Sequence, residues 1–319
     1  MATVSGIYSD ATEGTKLHKE KLSAKVRFQA MNLLQFGQLV KSENHLGANK
    51  GDTVNLEKVL KLAKNTTVIP ELASLPVKKN SINEVQVTIA EYGNAVSYTG
   101  RAKTYAEFNL DSIMQEVISR NVAETKDAII GAAFQTADTF WTPTGTASVP
   151  TGTFDSNGTV STSSTRNFQG FDLRQIRKNM RKNNTPTFDG RFYVGVLSAT
   201  ASAALYEDTA TGGITDVMKY TSNAEQLIKG EIGSYFGFRL VEETNVLADT
   251  LGTKTHEGEA IFFGDDAIGE AVAKPESVFT KDWDWGRFLG IAWYGYFGWK
   301  KIWDFTGDGE FRITRLWSD

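Results

Sequence analysis

The sequence predicts an α+β fold, and three observations carry that prediction. Between Glu107 and Ala137 apolar residues recur at spacings of three and four, the period of an amphipathic helix. Upstream, Val54 to Leu60 and Val85 to Glu91 alternate apolar and polar residues as strands do. Towards the C-terminus, six of the seven tryptophans fall between Trp283 and Trp317 in a glycine-punctuated, strand-like stretch, a bulky packing layer rather than a tail.

With 319 residues, 40% of them apolar, the chain has enough material for a full core. Its 34 basic and 38 acidic side chains leave a formal charge of −4, the wrong sign for binding nucleic acid by phosphate neutralisation. The absence of cysteine excludes disulfides and thiolate metal sites and fits a reducing cytoplasm. Met1 to Asp10 has neither a basic nor an apolar block of the secretory kind. The longest apolar run, Phe288 to Trp299, is too short and glycine-broken to span a bilayer, so a soluble chain made inside the cell, with no membrane partner, is expected.

Taken in order, residues 1–15 are small and polar, and Leu17, Leu22, Val26, Met31, Leu34 and Leu39 then space out an amphipathic helix that frays near Gly37. That helix packs on its own domain or crosses to another molecule; the pattern allows both. From Gly51 the period becomes extended. The two strands are separated by about 20 residues broken by Pro70 and Pro76, too many for a tight turn and too polar for a core, so the segment from Leu46 to Gly100 reads as a projecting arm. A two-stranded hairpin is marginal alone and needs a surface to lie on, either its parent domain or another molecule.

Glu107 to Ala137 is the strongest helix, with Leu110, Met114, Ile118, Val122, Thr125, Ile129 and Ala132 on one stripe and N-capping residues within Asn109 to Ser112. At 1.5 Å per residue it would reach about 45 Å, a spine. Residues 139–167 are Thr, Ser, Gly and Pro with almost no charge and read as an irregular surface loop, a linker being the competing view. A basic helix follows with Phe171, Leu173, Ile176 and Met180 on its apolar face. Residues 191–246 mix short elements: a strand over Arg191 to Leu197, a helix opened by Ser198 and running to Tyr206, a mixed stretch over Asp216 to Lys229, and a strand over Phe238 to Glu242. Ala260 to Phe263 is a strand that meets the turn residues Gly264, Asp265 and Asp266.

Chemistry-bearing motifs are scarce. His18, His45 and His256 each lack a second ligand at helical spacing, so no metal site is expected. The paired acids Asp265/Asp266, Asp282/Asp284 and Asp304/Asp308 have the composition for acid–base work, but the run from Asp304 to Glu310 lacks the ligand order of a calcium loop and reads as a turn. Gly230, Gly233 and Gly237 match neither a dinucleotide fingerprint nor a phosphate loop. Arg174, Arg177, Lys178, Arg181 and Lys182 form one cationic helical face, solvated by default and otherwise a phosphate contact. No catalytic residue and no cofactor is expected.

Three stretches together resemble the major capsid proteins of tailed bacteriophages: GEIGSYFGFRLVEETNV from Gly230, AIFFGDDAIGEA from Ala260, and GRFLGIAWYGYFGWKKI from Gly286. The resemblance covers nearly the whole chain, through glycine and apolar positions rather than reactive ones, and extends to encapsulins, which share the fold. It implies an N-terminal arm (1–45), an extended loop (46–102), a peripheral domain with the spine helix (103–138), the polar loop (139–167), an axial α/β domain (168–259) and a return to the peripheral domain (260–319). It further implies assembly through hexamers and pentamers into an icosahedral head around DNA that is not bound by sequence. The extended loop would lie on an adjacent subunit, with Leu62, Val68, Ile69, Pro70, Leu72, Leu75 and Pro76 as the expected contacts. Only about 45 residues precede that loop, too few for a folded domain of usual size, so a separate scaffolding protein is expected beside portal and decoration proteins. A compartment shell, a tail tube or a surface-layer subunit is the alternative assembly.

Overall fold

The computed structural model of the chain describes residues 7–8, 31, 34, 36–38, 40–43, 52–208, 233–247 and 258–318. Their order is β1 (Ile7–Tyr8), a 3₁₀ turn (Phe36–Gln38), β2 (Lys41–Glu43), β3 (Thr53–Val59), β4 (Ile82–Thr88), β5 (Ala90–Thr99), α1 (Gly100–Tyr105), α2 (Leu110–Phe134), β6 (Phe140–Gly145) and β7 (Pro150–Asp155). There follow α3 (Gly170–Lys182), β8 (Tyr193–Leu197), α4 (Ala199–Glu207), β9 (Gly233–Tyr235), β10 (Phe238–Glu242), β11 (Gly258–Phe263), β12 (Ile268–Trp283), β13 (Phe288–Lys301), α5 (Phe305–Asp308) and β14 (Ile313–Ser318).

The strands make three sheets: β1-β5-β13-β12-β2, β7-β6-β14-β11-β8-β10-β9, and the isolated pair β3-β4. Helix α2, 25 residues and therefore about 37 Å long, joins the two larger ones. Its first half sets Leu110, Met114 and Ile118 against Tyr98, Ile291, Trp293 and Phe297 of β5 and β13. Its second half sets Ile130, Ala133 and Phe134 against Val194, Val196, Ile261 and Phe263 of β8 and β11. The other face of the seven-stranded sheet carries α3 and α4 through Leu173, Ile176, Met180, Ala201 and Leu205. A strand covered on both faces must be apolar throughout, which is why β8 reads Tyr-Val-Gly-Val-Leu and β11 ends Ala-Ile-Phe-Phe, every residue buried.

Local signals explain the ends of these elements. The Asn109 side chain accepts from Asp111 N and starts α2, the Ser198 side chain accepts from Ala201 N and starts α4, and the Thr99 side chain starts α1, a helix the pattern did not show. Phe236 and Gly237, both at positive φ, make the two-residue turn that joins β9 to β10.

Several expectations are corrected. The spine starts at Leu110 and stops at Phe134; Ile129 keeps partly buried contact with the five-stranded sheet's core, but Ala132 is exposed and the fully buried stripe moves to Ile130, Ala133 and Phe134, because the helix changes partner from one sheet to the other midway. The stretch 139–167 is no irregular surface loop. It holds the β6–β7 hairpin, with Phe140, Trp141 and Thr142 buried, and Arg166 beneath it donates to Asp172 Oδ1 and Oδ2 at 2.6 and 2.8 Å while Trp141 Nε1 donates to Asp172 at 2.8 Å. Buried polar pairing there replaces the missing apolar side chains.

Sheet membership also moves boundaries. The strand expected across Val85 to Glu91 breaks at Ile89, and β5 pairs with β13 along its length, so only residues 52–89 form the arm hairpin. The return to the five-stranded sheet comes at β12, after the Asp265–Asp266 turn, and β14 goes back to the seven-stranded one. The expected helix over 16–39 lies almost wholly outside the described residues, its end forming the 3₁₀ turn at Phe36–Gln38, and the mixed stretch 216–229 lies outside them entirely.

Candidate assembly surface

The β3–β4 hairpin is in register from Thr53↔Thr88 to Val59↔Ile82, and its ladder is extended by Leu60 N donating to Ser81 O. Strand alternation gives it two faces. One face presents the cross-strand pairs Val54↔Val87, Leu56↔Val85 and Lys58↔Asn83 to the body, with Val87 and Lys58 buried; the other exposes Asn55, Glu57, Val59, Ile82, Glu84 and Gln86. Leu56 seats on Gly269 of β12, where a Cβ would stand 2.4 Å from its Cδ1, so only glycine leaves the notch.

Beyond the ladder the chain runs out as an open loop in which every residue from 61 to 81 is exposed. All seven residues singled out from the sequence lie here. Leu62, Val68, Ile69, Leu72 and Leu75 are large apolar side chains in solvent, Leu72 completely, and Pro70 and Pro76 stiffen the same loop. Val77, at 98% exposure, was missed, because a valine before two lysines gives no signal of its own. Trp285 was also missed. It is fully exposed at the tip of the β12–β13 hairpin, in a turn where Asp284, Trp285 and Gly286 all have positive φ. Apolar groups gathered at a tip without a core beneath them mark a surface built to be covered.

The arm's root is polar. Lys58 Nζ, on a side chain 5% exposed, donates to Asp308 Oδ2 at 2.5 Å and to Ile302 O at 2.9 Å. Asn83 Nδ2 donates to Asp308 Oδ1 at 3.0 Å, and Asp304 N donates to Asp308 Oδ2 at 3.0 Å. Burial raises the Asp308 carboxyl, but the hydrogen bonds from Lys58, Asn83 and Asp304 N outweigh it and hold it below the usual carboxylate range. A cleft of about 760 Å³ opens beside this root, lined among others by Glu57, Glu84, Lys300, Lys301 and Asp304.

Asp266 and Asp304 are engaged structurally. Asp304 caps α5 through Thr306 N and is held low first by a hydrogen bond from Asp138, whose own carboxyl burial raises; Lys301 pairs with Asp138. Asp266 pairs with Arg312 at 2.8 Å, whereas Asp282 sits opposite Leu289 near the far end of β12, on the order of 50 Å of strand away. The acids thus do not converge on one pocket. Of the cationic face, Arg174 lies over Phe236 and Arg181 over Tyr193, which docks α3 on its own sheet. His18, His45, His256 and Gly230 lie outside the described residues, among which no cluster of metal-ligating side chains occurs and no helix is long and apolar enough to cross a membrane.

A family model described as phage capsid protein matches residues 83–307, most of the chain. The chain belongs to the phage capsid protein family. No curated protein sequence matches it. Among solved structures, the acid-stable capsid of Helicobacter pylori bacteriophage KHP30 superposes with a TM-score of 0.70 at 10% identity, over 98% of either chain. The Mycobacterium phage Che8 structure gives 0.66 at 15% identity, over 93% of this chain and 96% of that one. The capsid of cyanophage Pam1 gives 0.63 at 15% identity, over 100% and 99%. At such identities the structures speak for the fold, and they share it over almost their full lengths. The expected α+β capsid fold is therefore the fold of this phage capsid protein, a virion component.

Proposed function

We propose that this chain is the major capsid protein of a tailed bacteriophage, assembling through hexamers and pentamers into the icosahedral head that encloses the double-stranded DNA genome. The family match over residues 83–307 carries this reading and favours a head over a compartment shell, tail tube or surface layer. In it the seven-stranded sheet with α3 and α4 is the axial domain, the five-stranded sheet with α2 is the peripheral domain, and residues 1–45 are an N-terminal arm. Leu62, Val68, Ile69, Pro70, Leu72, Leu75 and Pro76 lie on the adjacent subunit, supported by their exposure on a loop with no core of its own.

The work done is assembly rather than catalysis: each subunit makes modest contacts that closed symmetry repeats until the wall is stable. DNA is enclosed without sequence-specific binding, as suits a chain of net charge −4. Head assembly in the host cytoplasm enlists a separate scaffolding protein, a portal and a decoration protein.

Electron microscopy of the purified chain with and without scaffold tests this. Faceted shells support it, whereas tubes or flat arrays, or shells that copurify with a cargo enzyme, refute it. Uniform closed shells from the chain alone would remove the scaffold. Deleting residues 62–82 should spare the folded subunit and abolish shells.

A further inference from the structure

We propose that the cross-strand pair Lys58 and Asn83, clasping the Asp308 carboxylate, is a positioning latch that fixes the angle at which the arm leaves the body and so presents it to a second copy of this chain. The inference rests on the reading of the arm as an assembly contact and names what orients it.

The β3–β4 pair is a sheet of its own, with no ladder to either larger sheet. Strand β4 is joined to β5 through Ile89 alone, so that residue anchors one corner of the hairpin and side chains set its direction about that point. Leu56 in the Gly269 notch resists sliding, while Val54, Val85 and Val87 supply apolar contact that is non-directional and tolerates rocking about it. Among the described residues, the directional contacts from the arm strands to the body are those of Lys58 with Asp308 and Ile302 O, and of Asn83 with Asp308.

The acceptor is itself immobilised. Asp308 ends α5, its N–H donates to Asp304 O at 2.8 Å, its Oδ2 accepts from Asp304 N, and Gly309 at φ +66° closes the turn. One carboxylate thus takes one donor from each arm strand, Oδ2 from β3 and Oδ1 from β4. A twist or slide of the hairpin lengthens at least one of these bonds, which in the latched state are made by a nearly fully buried Lys58. The open cleft beside the root gives an unlatched arm room to swing. At the far end of the arm, a small change in root angle becomes a large displacement of Leu72.

The chain lacks cysteine, so spin labels on Leu72→Cys at the tip and Gln115→Cys on the exposed face of α2 report the angle in unassembled full-length subunits. Replacing the latch by Lys58→Met with Asp308→Leu should broaden the tip-to-helix distance distribution about twofold with little change in the melting of the body. In chains with native Leu72 and Gln115, the same change should lower shell yield about tenfold. Asn83→Ala, which removes one donor and leaves the ion pair, should broaden it by less and serves if the double variant fails to fold. A distribution as narrow as the parent's overturns the latch, as does a broadened arm that assembles at parental yield. Failure of the arm reading is separable, since it would show as normal shells from the 62–82 deletion whatever the distances.

Discussion

Truncating Leu72 and Val77 together tests the arm most directly. Both side chains stand in water, Leu72 completely, so Leu72→Ala with Val77→Ala removes nothing the isolated subunit uses. Its folding free energy should move by no more than about 0.5 kcal/mol. If the arm lies on a neighbour, the same methyl groups are buried on assembly, at about 0.8 kcal/mol for each carbon. Three carbons leave at Leu72 and two at Val77; with incomplete burial the loss is about 3 kcal/mol for each arm. Every subunit in a closed shell gives one arm, so that loss appears once per subunit, and at about 1.4 kcal/mol per decade it raises the critical concentration for assembly about a hundredfold. Light scattering against subunit concentration, with particles counted by electron microscopy, reads this out, and thermal melting of the unassembled subunit is the control. An unchanged critical concentration would refute the reasoning, and so would a melting point lowered enough to account for the defect.

Other changes probe how the arm is carried. Gly131→Ala places a Cβ 2.7 Å from Val246 Cγ1, so a gain in helix propensity of about 1 kcal/mol should be outweighed by overpacking, and melting should fall. Arg166→Met strands the buried Asp172 carboxylate under the β6–β7 hairpin, costing about 3–5 kcal/mol in denaturant unfolding, and adding Asp172→Asn should recover part of it. The folded Asp308 carboxyl is held below its unfolded value of about 3.9, so its contribution is complete above that value and disappears as pH falls through the folded one. With Lys58, Asp304, Glu57, Glu84, Lys300 and Lys301 around it, the protection of β3 and β4 amides relative to their intrinsic exchange should fall on acidification through that window, and Asp308→Asn should reduce the dependence.

Legibility in the sequence followed the kind of contact. Strand β10 and the start of α4 could be read closely, because alternation and a serine cap are local signals. The arm was readable from its prolines and its lack of a core. The β6–β7 hairpin was not, since Thr-Pro-Thr-Gly looks like loop until Arg166 and Asp172 are known to sit beneath it. The second half of α2 was misread because its sequence carries two overlapping stripes, and which is buried depends on strands that come 60 or more residues later. The arm's root was hidden for a related reason. Lys58 and Asn83 interrupt the apolar face of Val54/Leu56 and Val85/Val87 with no local partner, and their acceptor lies 250 and 225 residues away.

That hidden polar rung bears on why the root is not simply leucine. A fully apolar root of the same volume would be as stable or more so, because the ion pair gives back in desolvation much of what it gains in attraction. Stability is thus a weak reason for burying Lys58. Direction is a better one: Val54/Val87 and Val85 hold the arm down over a range of tilts about the Leu56 notch, whereas two donors on two strands meeting two oxygens of one fixed carboxylate are satisfied in one. For a lone subunit the difference hardly matters. If the exposed Leu72 lands on the same place of each neighbour around a closed shell, angular error accumulates with every copy, and a directional root is worth more than a stickier one.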